Sequence, residues 1–470
     1  MTKARPSDVD STNQDSNAHA HPSSNSESVQ RGSHAQHIQP YTNMRSSGAK
    51  LDGKFEELVP NDYERLPQKE VIATLKSGGH LQRCYVRELH FNGELEGPIQ
   101  LREVYIRHLH IQSAKLIKNV VFNGCHIRRL IIDESVFEDS ISMKHSKIHF
   151  MHIKGSTFSR GLNASSAQFS SKVVIQNCEF LGRVRLWEAL LKDWCTFIQC
   201  TFKAKVDLRS AFFEAGFTAP NCIFEDEFLF RGAHLALKWE APDARFESLV
   251  DFSKAKLNDF VYLEEVIQGD QQEWAFWNTV SDRILIRPDQ VEGRLRSEEE
   301  QDYSRAMREY AVLKRSFESE NQYSYDDWAF YRFKVNERLA RDQHASTASA
   351  KLLSLADWFL LDWGCGYGTH PLRAIRTALV MIVFFAGVYT VGYHALHPPE
   401  QLPFPELAAD ALLNRVSVSL FVSLAAFTSG FGDLREVAIG WMNAPIMLEA
   451  LLGTLIWGLF IVAFGRKVIR

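Results

Sequence analysis

From Phe158 onward a large apolar residue returns every eleven positions: Phe158, Phe169, Phe180, Leu191, Phe202, Phe213, Phe224, Leu235, Phe246 and Leu257. Two residues before each stands a small one: Ser156, Ala167, Cys178, Ala189, Cys200, Ala211, Cys222, Ala233, Ala244 and Ala255. Six residues after many of them comes a second apolar side chain, at Ile175, Leu186, Phe197, Leu208, Phe230, Phe252 and Leu263. Neither the helical period of about 3.6 nor the strand period of about 2 produces this lattice. A fixed short period marks coils that stack and bury one another's apolar faces. Close packing inside a tapering coil requires small and bulky side chains to alternate. At roughly 22 residues per coil and about 4.8 Å per strand, residues 81–265 predict a stack about 40 Å tall.

Upstream the lattice is looser. Val86, Phe91, Leu101, Ile106, Ile111, Leu116 and Val121 keep a five-residue spacing, and after a one-residue slip Phe122, Ile127, Ile132 and Phe137 continue it. The pattern resembles the pentapeptide-repeat proteins. That resemblance implies a right-handed quadrilateral β-solenoid over residues 81–268. Solenoid ends need covers, so residues 51–80 are predicted to cap its first coil, with a helix over 61–77. Cys84, Cys125, Cys178, Cys195, Cys200, Cys222 and Cys365 form no CxxC pair, and seven is odd. They read as small core fillers, not as zinc ligands or disulfides.

Some pentapeptide-repeat proteins mimic DNA through an acidic surface. Here Arg128, Arg129, Lys144, Lys147, Lys172, Arg183, Arg185, Lys203, Lys205 and Arg209 fall at positions read as outward, with acids interspersed. This argues against DNA mimicry; it reads as affinity for anionic lipid or nucleic acid or, with the acids interspersed, as a solvated mixed-charge surface, which is favoured. No nucleic-acid partner is expected, and nothing in the sequence names a partner for the solenoid. The net charge of −4 is too small to decide between partners.

Residues 1–50 are rich in Ser, Asn, Gln and His and nearly lack large apolar groups, the composition of a disordered tail. Beyond the solenoid, Tyr303, Met307, Tyr310, Leu313 and Phe317 make the apolar face of a helix over 297–319. A second helix over 325–341 carries Trp328, Tyr331, Phe333 and Leu339, giving a helical hairpin linker over 296–345. It reads either as a rigid spacer or as a transmitter of strain. Residues 351–369 bring Trp358, Phe359, Leu360 and Trp363 together and read as an interfacial collar helix.

Residues 370–470 change character. Thr377 to Leu396 contains no Asp, Glu, Lys or Arg, and Val437 to Phe464 is interrupted only by Glu449. Each is long enough to cross the roughly 30 Å hydrocarbon core. Between them come a polar, Pro-rich segment, His397 to Asp410, and a shorter apolar run ending at Phe427. That run predicts a re-entrant pore helix over 414–427. Arg373 and Arg376 precede the first span and Arg466, Lys467 and Arg470 follow the second, which places both termini and the solenoid on the cytoplasmic side.

The run then reads Thr428-Ser429-Gly430-Phe431-Gly432-Asp433. In that place it resembles the selectivity filter of two-span potassium channels, over residues 373–466. A dehydrated cation needs oxygens in place of its water, and backbone carbonyls supply them. By this resemblance the carbonyls of Thr428, Ser429, Gly430 and Phe431 line ion sites. Gly432 completes the motif, and Asp433 stands behind the outer mouth. Ser429 stands where the family usually has valine, and Phe431 where it usually has tyrosine. Glu449 is expected to support the filter or to lie at the outer headgroups, and Gly453 or Gly458 to be a hinge of the inner helix. One filter strand cannot encircle an ion, so the resemblance implies a homotetramer. The expected partners are potassium ions, the bilayer and other copies of the chain; the permeating ion is the only small species implied.

Gly366-Tyr367-Gly368 also spells part of a filter but precedes the first span, so it is not read as one. No P-loop, nucleophile elbow, metal triad or paired carboxylates point to chemistry, and no enzyme activity is expected. The function expected is a tetrameric, potassium-selective cation channel of a bacterial inner membrane. The competing expectation is a membrane-anchored scaffold whose solenoid binds a protein.

Overall fold

A computed structural model describes residues 55–345, 347–396, 411–429 and 440–469. Its dominant feature is a β-solenoid over residues 64–285. Short parallel strands repeat coil on coil: Thr157–Phe158 pairs with Val136–Phe137 on one side and Glu179–Phe180 on the other. A ten-stranded sheet takes one strand from each turn, from Leu81–Gln82 to Trp274–Ala275, so the solenoid has about ten turns.

The eleven-residue lattice is the interior. Phe158, Phe180 and Phe202 are fully buried, as are the second apolar residues Ile175, Phe197 and Phe230. Paired residues lie 22 positions apart, so every second lattice phenylalanine falls in one column. Phe158 stacks on Phe180 with ring centroids 4.7 Å apart, Phe180 on Phe202 at 5.0 Å, and Phe202 on Phe224 at 4.8 Å. That spacing is the inter-strand distance, so the rings stack with little lateral offset.

The small residues also work as donors. Ser156 Oγ donates to the Lys154 carbonyl and Cys178 Sγ to that of Gln176. Immediately before the small residue, the backbone turns through the left-handed region at Ser166, Asn177, Glu188, Gln199, Ser210, Asn221, Asp243 and Lys254. Two positions of this series are glycine, Gly155 before Ser156 and Gly232 before Ala233. Every cysteine is free and buried. Arg128 is also buried, which corrects its reading as an outward cation. Lys203, Lys205 and Arg209 are paired with Glu179, Glu227 and Asp207, so their charge is largely neutralised in place.

Upstream, the slip is resolved by pairing: Phe122 lies beside Leu101 and is buried, while Val121 is half-buried. The cap helix is shorter than predicted. Glu64–Arg65 pairs with Cys84–Tyr85 as a strand, and helix α1 covers Gln68–Lys76, burying Val71 and Leu75.

The coil continues beyond residue 268. Trp274 and Ile284 remain in strands, and two short helices, α2 (Pro288–Val291) and α3 (Arg296–Glu299), follow. The long helix predicted from 297 begins later, as α4 (Tyr303–Ser319), because Asp302 caps it by accepting from the Arg305 N–H. Its buried face, Tyr310, Leu313 and Phe317, packs on the last coil and on Trp328 of α5 (Tyr323–His344).

Buried polar bonds lock this joint. Glu309 accepts from the Phe276 N–H and the Ser297 hydroxyl, and Ser316 exchanges bonds with both backbone groups of Ile284. Burial is the largest influence on Glu309 and pushes its carboxyl up to about 7, against the opposing pull of these donors. Next comes α6 (Ala348–Asp357), continued by a π-helical turn over Trp358–Trp363, and then three apolar helices: α7 (Pro371–Val391), α8 (Ala411–Ser429) and α9 (Asn443–Ile469).

Candidate functional site

The apolar composition of α7 and α9 leaves them with large unpartnered surfaces. Leu379, Val383 and Phe384 on α7 and Ile461 and Val462 on α9 are all exposed. Both helices are long and apolar enough to cross a bilayer. Their other faces meet around α8: Met381, Phe385, Val418, Val422, Ile446 and Ile456 form one buried cluster.

Three polar side chains stand inside that cluster. Glu449 of α9 is fully buried. It accepts from the Tyr389 hydroxyl of α7 at 2.5 Å and lies 2.5 Å from Ser423 Oγ of α8. Ser423 Oγ is also 2.9 Å from the Ile382 carbonyl of α7. A buried carboxylate needs such partners, because leaving it unpaired in an apolar setting is costly. The carboxylate therefore ties all three helices together at one level. Glu449, expected either to support the filter or to lie at the outer headgroups, is in contact with α8 through Ser423. Tyr389 and Ser423 escaped sequence reasoning; the signal available was a polar residue in each neighbouring apolar run.

Helix α8 is longer than the 414–427 segment predicted. It continues through Thr428 and Ser429, and Thr428 Oγ1 donates back to the Leu424 carbonyl. At about 1.5 Å per residue, its 19 residues rise roughly 28 Å. Gly430, Phe431, Gly432 and Asp433 lie outside the described residues, as does the polar segment 397–410.

The two candidate hinges differ in surroundings. A Cβ on Gly453 would lie 2.6 Å from the Phe427 carbonyl oxygen, so Gly453 lets α9 touch the backbone of α8 one residue before Thr428. Around Gly458 there is open space.

The segment before α7 is fastened to the hairpin. Asp362 accepts from Tyr331 at 2.8 Å and from Arg338 at 2.9 Å, and Asp357 pairs with Arg341. The opposite side of this segment leaves Leu352, Leu353, Leu355, Trp358 and Phe359 exposed, an amphipathic arrangement. Gly366, Tyr367 and Gly368 all have positive φ and form a left-handed turn into α7. The cations flanking the apolar helices gather here: Arg373 lies over Tyr331, Arg376 over Trp363, and Arg466 pairs with Asp327 of α5.

Among the described residues no cluster of three or more His, Cys, Asp or Glu is placed to hold a metal ion. The fold and site define a class: a β-solenoid joined through a helical hairpin to a region with two long apolar helices. Compared with known proteins, the chain matches no family model, no curated protein and no solved structure.

Proposed function

We propose that the chain is a membrane protein of the bacterial inner membrane whose α7, α8 and α9 form one quarter of a cation-conducting, potassium-selective pore. The solenoid would be a cytoplasmic domain of the pentapeptide-repeat type. The observation that carries this reading is the position of α8. It is held between two long apolar helices by Glu449 and Ser423, and its C-terminus leads directly into Gly430-Phe431-Gly432-Asp433. A helix leaves its last four carbonyls without intrahelical partners, and its C-terminal dipole favours a cation. Exposed apolar surface on α7 and α9 supports contact with lipid or with other copies of the chain.

A second reading rests on a specific observation. Thr428 and Ser429 are helical, whereas a filter strand presents successive carbonyls from an extended backbone. A membrane-anchored scaffold that binds a protein through its solenoid, with a pore-like region that does not conduct, is compatible with this. The experiment that separates the two is Gly430→Val in purified protein reconstituted into liposomes. The channel reading expects potassium flux to be lost while the β-sheet circular dichroism of the solenoid is retained. Flux equal to that of the unaltered protein would remove Gly430 from the conducting path.

A further inference from the structure

The side chain of Arg466 binds the C-terminal end of α9 to the hairpin. Arg466 Nε lies 2.8 Å from Asp327 Oδ1, its Nη2 lies 3.6 Å from Asp326 Oδ2, and its guanidinium covers the Phe330 ring at 4.4 Å. All three partners sit within two turns at the start of α5, with Asp326 and Phe330 one helical turn apart on the same face. This is not a solvent-screened contact. The Asp326 side chain is fully buried, and the Asp327 and Arg466 side chains are 15% and 19% exposed. Asp326 also draws in Lys314 of α4 at 3.3 Å, so the carboxylate joins α4, α5 and α9.

The same helix α5 grips the end of the solenoid on its other contacts. Arg332 and Asn336 both donate to Glu298 of α3, which also accepts from Tyr310 of α4. Also on α5, Arg338 and Tyr331 hold Asp362 in the segment before α7. Helix α5 is thus bonded to the solenoid end, to the entry of α7 and to the exit of α9. A planar guanidinium that pairs with carboxylate and lies over an aromatic ring is not replaced by a lysine.

We propose that Arg466 with Asp326, Asp327 and Phe330 is a latch through which the solenoid and hairpin fix the cytoplasmic end of α9, and so regulate the pore that α9 lines. The regulatory part rests on the channel reading; the latch itself does not.

The test is a double-mutant cycle in the full-length protein in liposomes, with Arg466→Gln, Asp327→Asn and the pair together. Amide hydrogen exchange of residues 460–469 and potassium flux are read on the same samples. Each single variant is expected to speed exchange of 460–469 by about tenfold, with the double variant no faster than either single one. Arg466→Lys should fall between the unaltered protein and Arg466→Gln. Potassium flux should change in both single variants, in one direction and by a similar factor. Unchanged exchange in the single variants, or single effects that multiply in the double variant, would overturn the latch. Altered exchange with unaltered flux would overturn its regulatory role. If neither the unaltered protein nor Arg466→Gln carries flux, the channel reading fails, and exchange alone decides whether the latch exists.

Discussion

The Tyr389 hydroxyl donates to the Glu449 carboxylate across the interface of α7 and α9, 60 positions apart in the chain. With Ser423 as the third member, one carboxylate fixes how the three apolar helices pack. A buried carboxylate left with fewer partners keeps its desolvation cost, so the single changes should be costly and strongly coupled. Tyr389→Phe and Glu449→Gln should each destabilise the helical region by about 1–3 kcal/mol. The double variant should be less destabilised than the sum. Thermal unfolding in detergent micelles, followed at the helical signal, measures this; strict additivity would mean that the bond contributes nothing.

Gly453 and Gly458 separate close packing from backbone freedom. A methyl group on Gly453 meets the Phe427 carbonyl, while one on Gly458 meets open space. Gly453→Ala should therefore push the end of α8 out of place and lower ion flux by about tenfold or more. Gly458→Ala, a better helix former in an open position, should leave flux near that of the unaltered protein. The comparison is made by liposome flux at equal reconstituted protein.

The joint between solenoid and hairpin should respond to pH through Glu309. Its carboxyl is raised to about 7 in the folded protein from an ordinary value of 4.5. A raised carboxyl binds more protons folded than unfolded, so its stability term is fully present below about 4.5 and is lost as pH rises through about 7. The loss is on the order of 3 kcal/mol for Glu309 alone. Glu273, raised to about 7 mainly by burial, titrates in the same window and adds to the slope. Urea unfolding of the full chain at pH 5 and pH 8 should show greater stability at pH 5, and Glu309→Gln should reduce the difference without abolishing it.

The phenylalanine column is the most exacting part of the core. Phe180 is fully buried, with rings above and below it. Phe180→Ala should cost about 3–5 kcal/mol, because neighbouring coils are held at strand spacing and cannot collapse into the gap. Leu181, exposed beside it, should be replaceable by alanine within about 0.5 kcal/mol. Denaturant unfolding followed at the β-sheet signal compares the two.

Much of the solenoid was legible because its constraint is local and repeats. Phe158 to Leu257 announce the interior by spacing alone, and the coils bear it out. The early coils were harder to read for a physical reason. Val86 pairs with Ile106 and Ile106 with Ile127, steps of 20 and 21 residues, and a bulge lies between Phe91 and Gly93. The corners were not legible at all. Left-handed backbone usually announces itself as glycine, yet Glu188, Gln199 and Lys254 occupy those places here. In the helical region, composition located the apolar helices but not their bonds. Glu449 stood out as an acid in an apolar run, whereas its partners come from other helices. The Arg466–Asp326 pair joins residues 140 positions apart, and no local pattern marks it.

The central claim is conduction. The measurement is ion flux from liposomes holding the purified, correctly inserted protein, with potassium and sodium gradients compared side by side. Potassium flux well above sodium flux is expected. No flux of either ion, in the unaltered protein and in the Arg466→Gln variant alike, would contradict conduction.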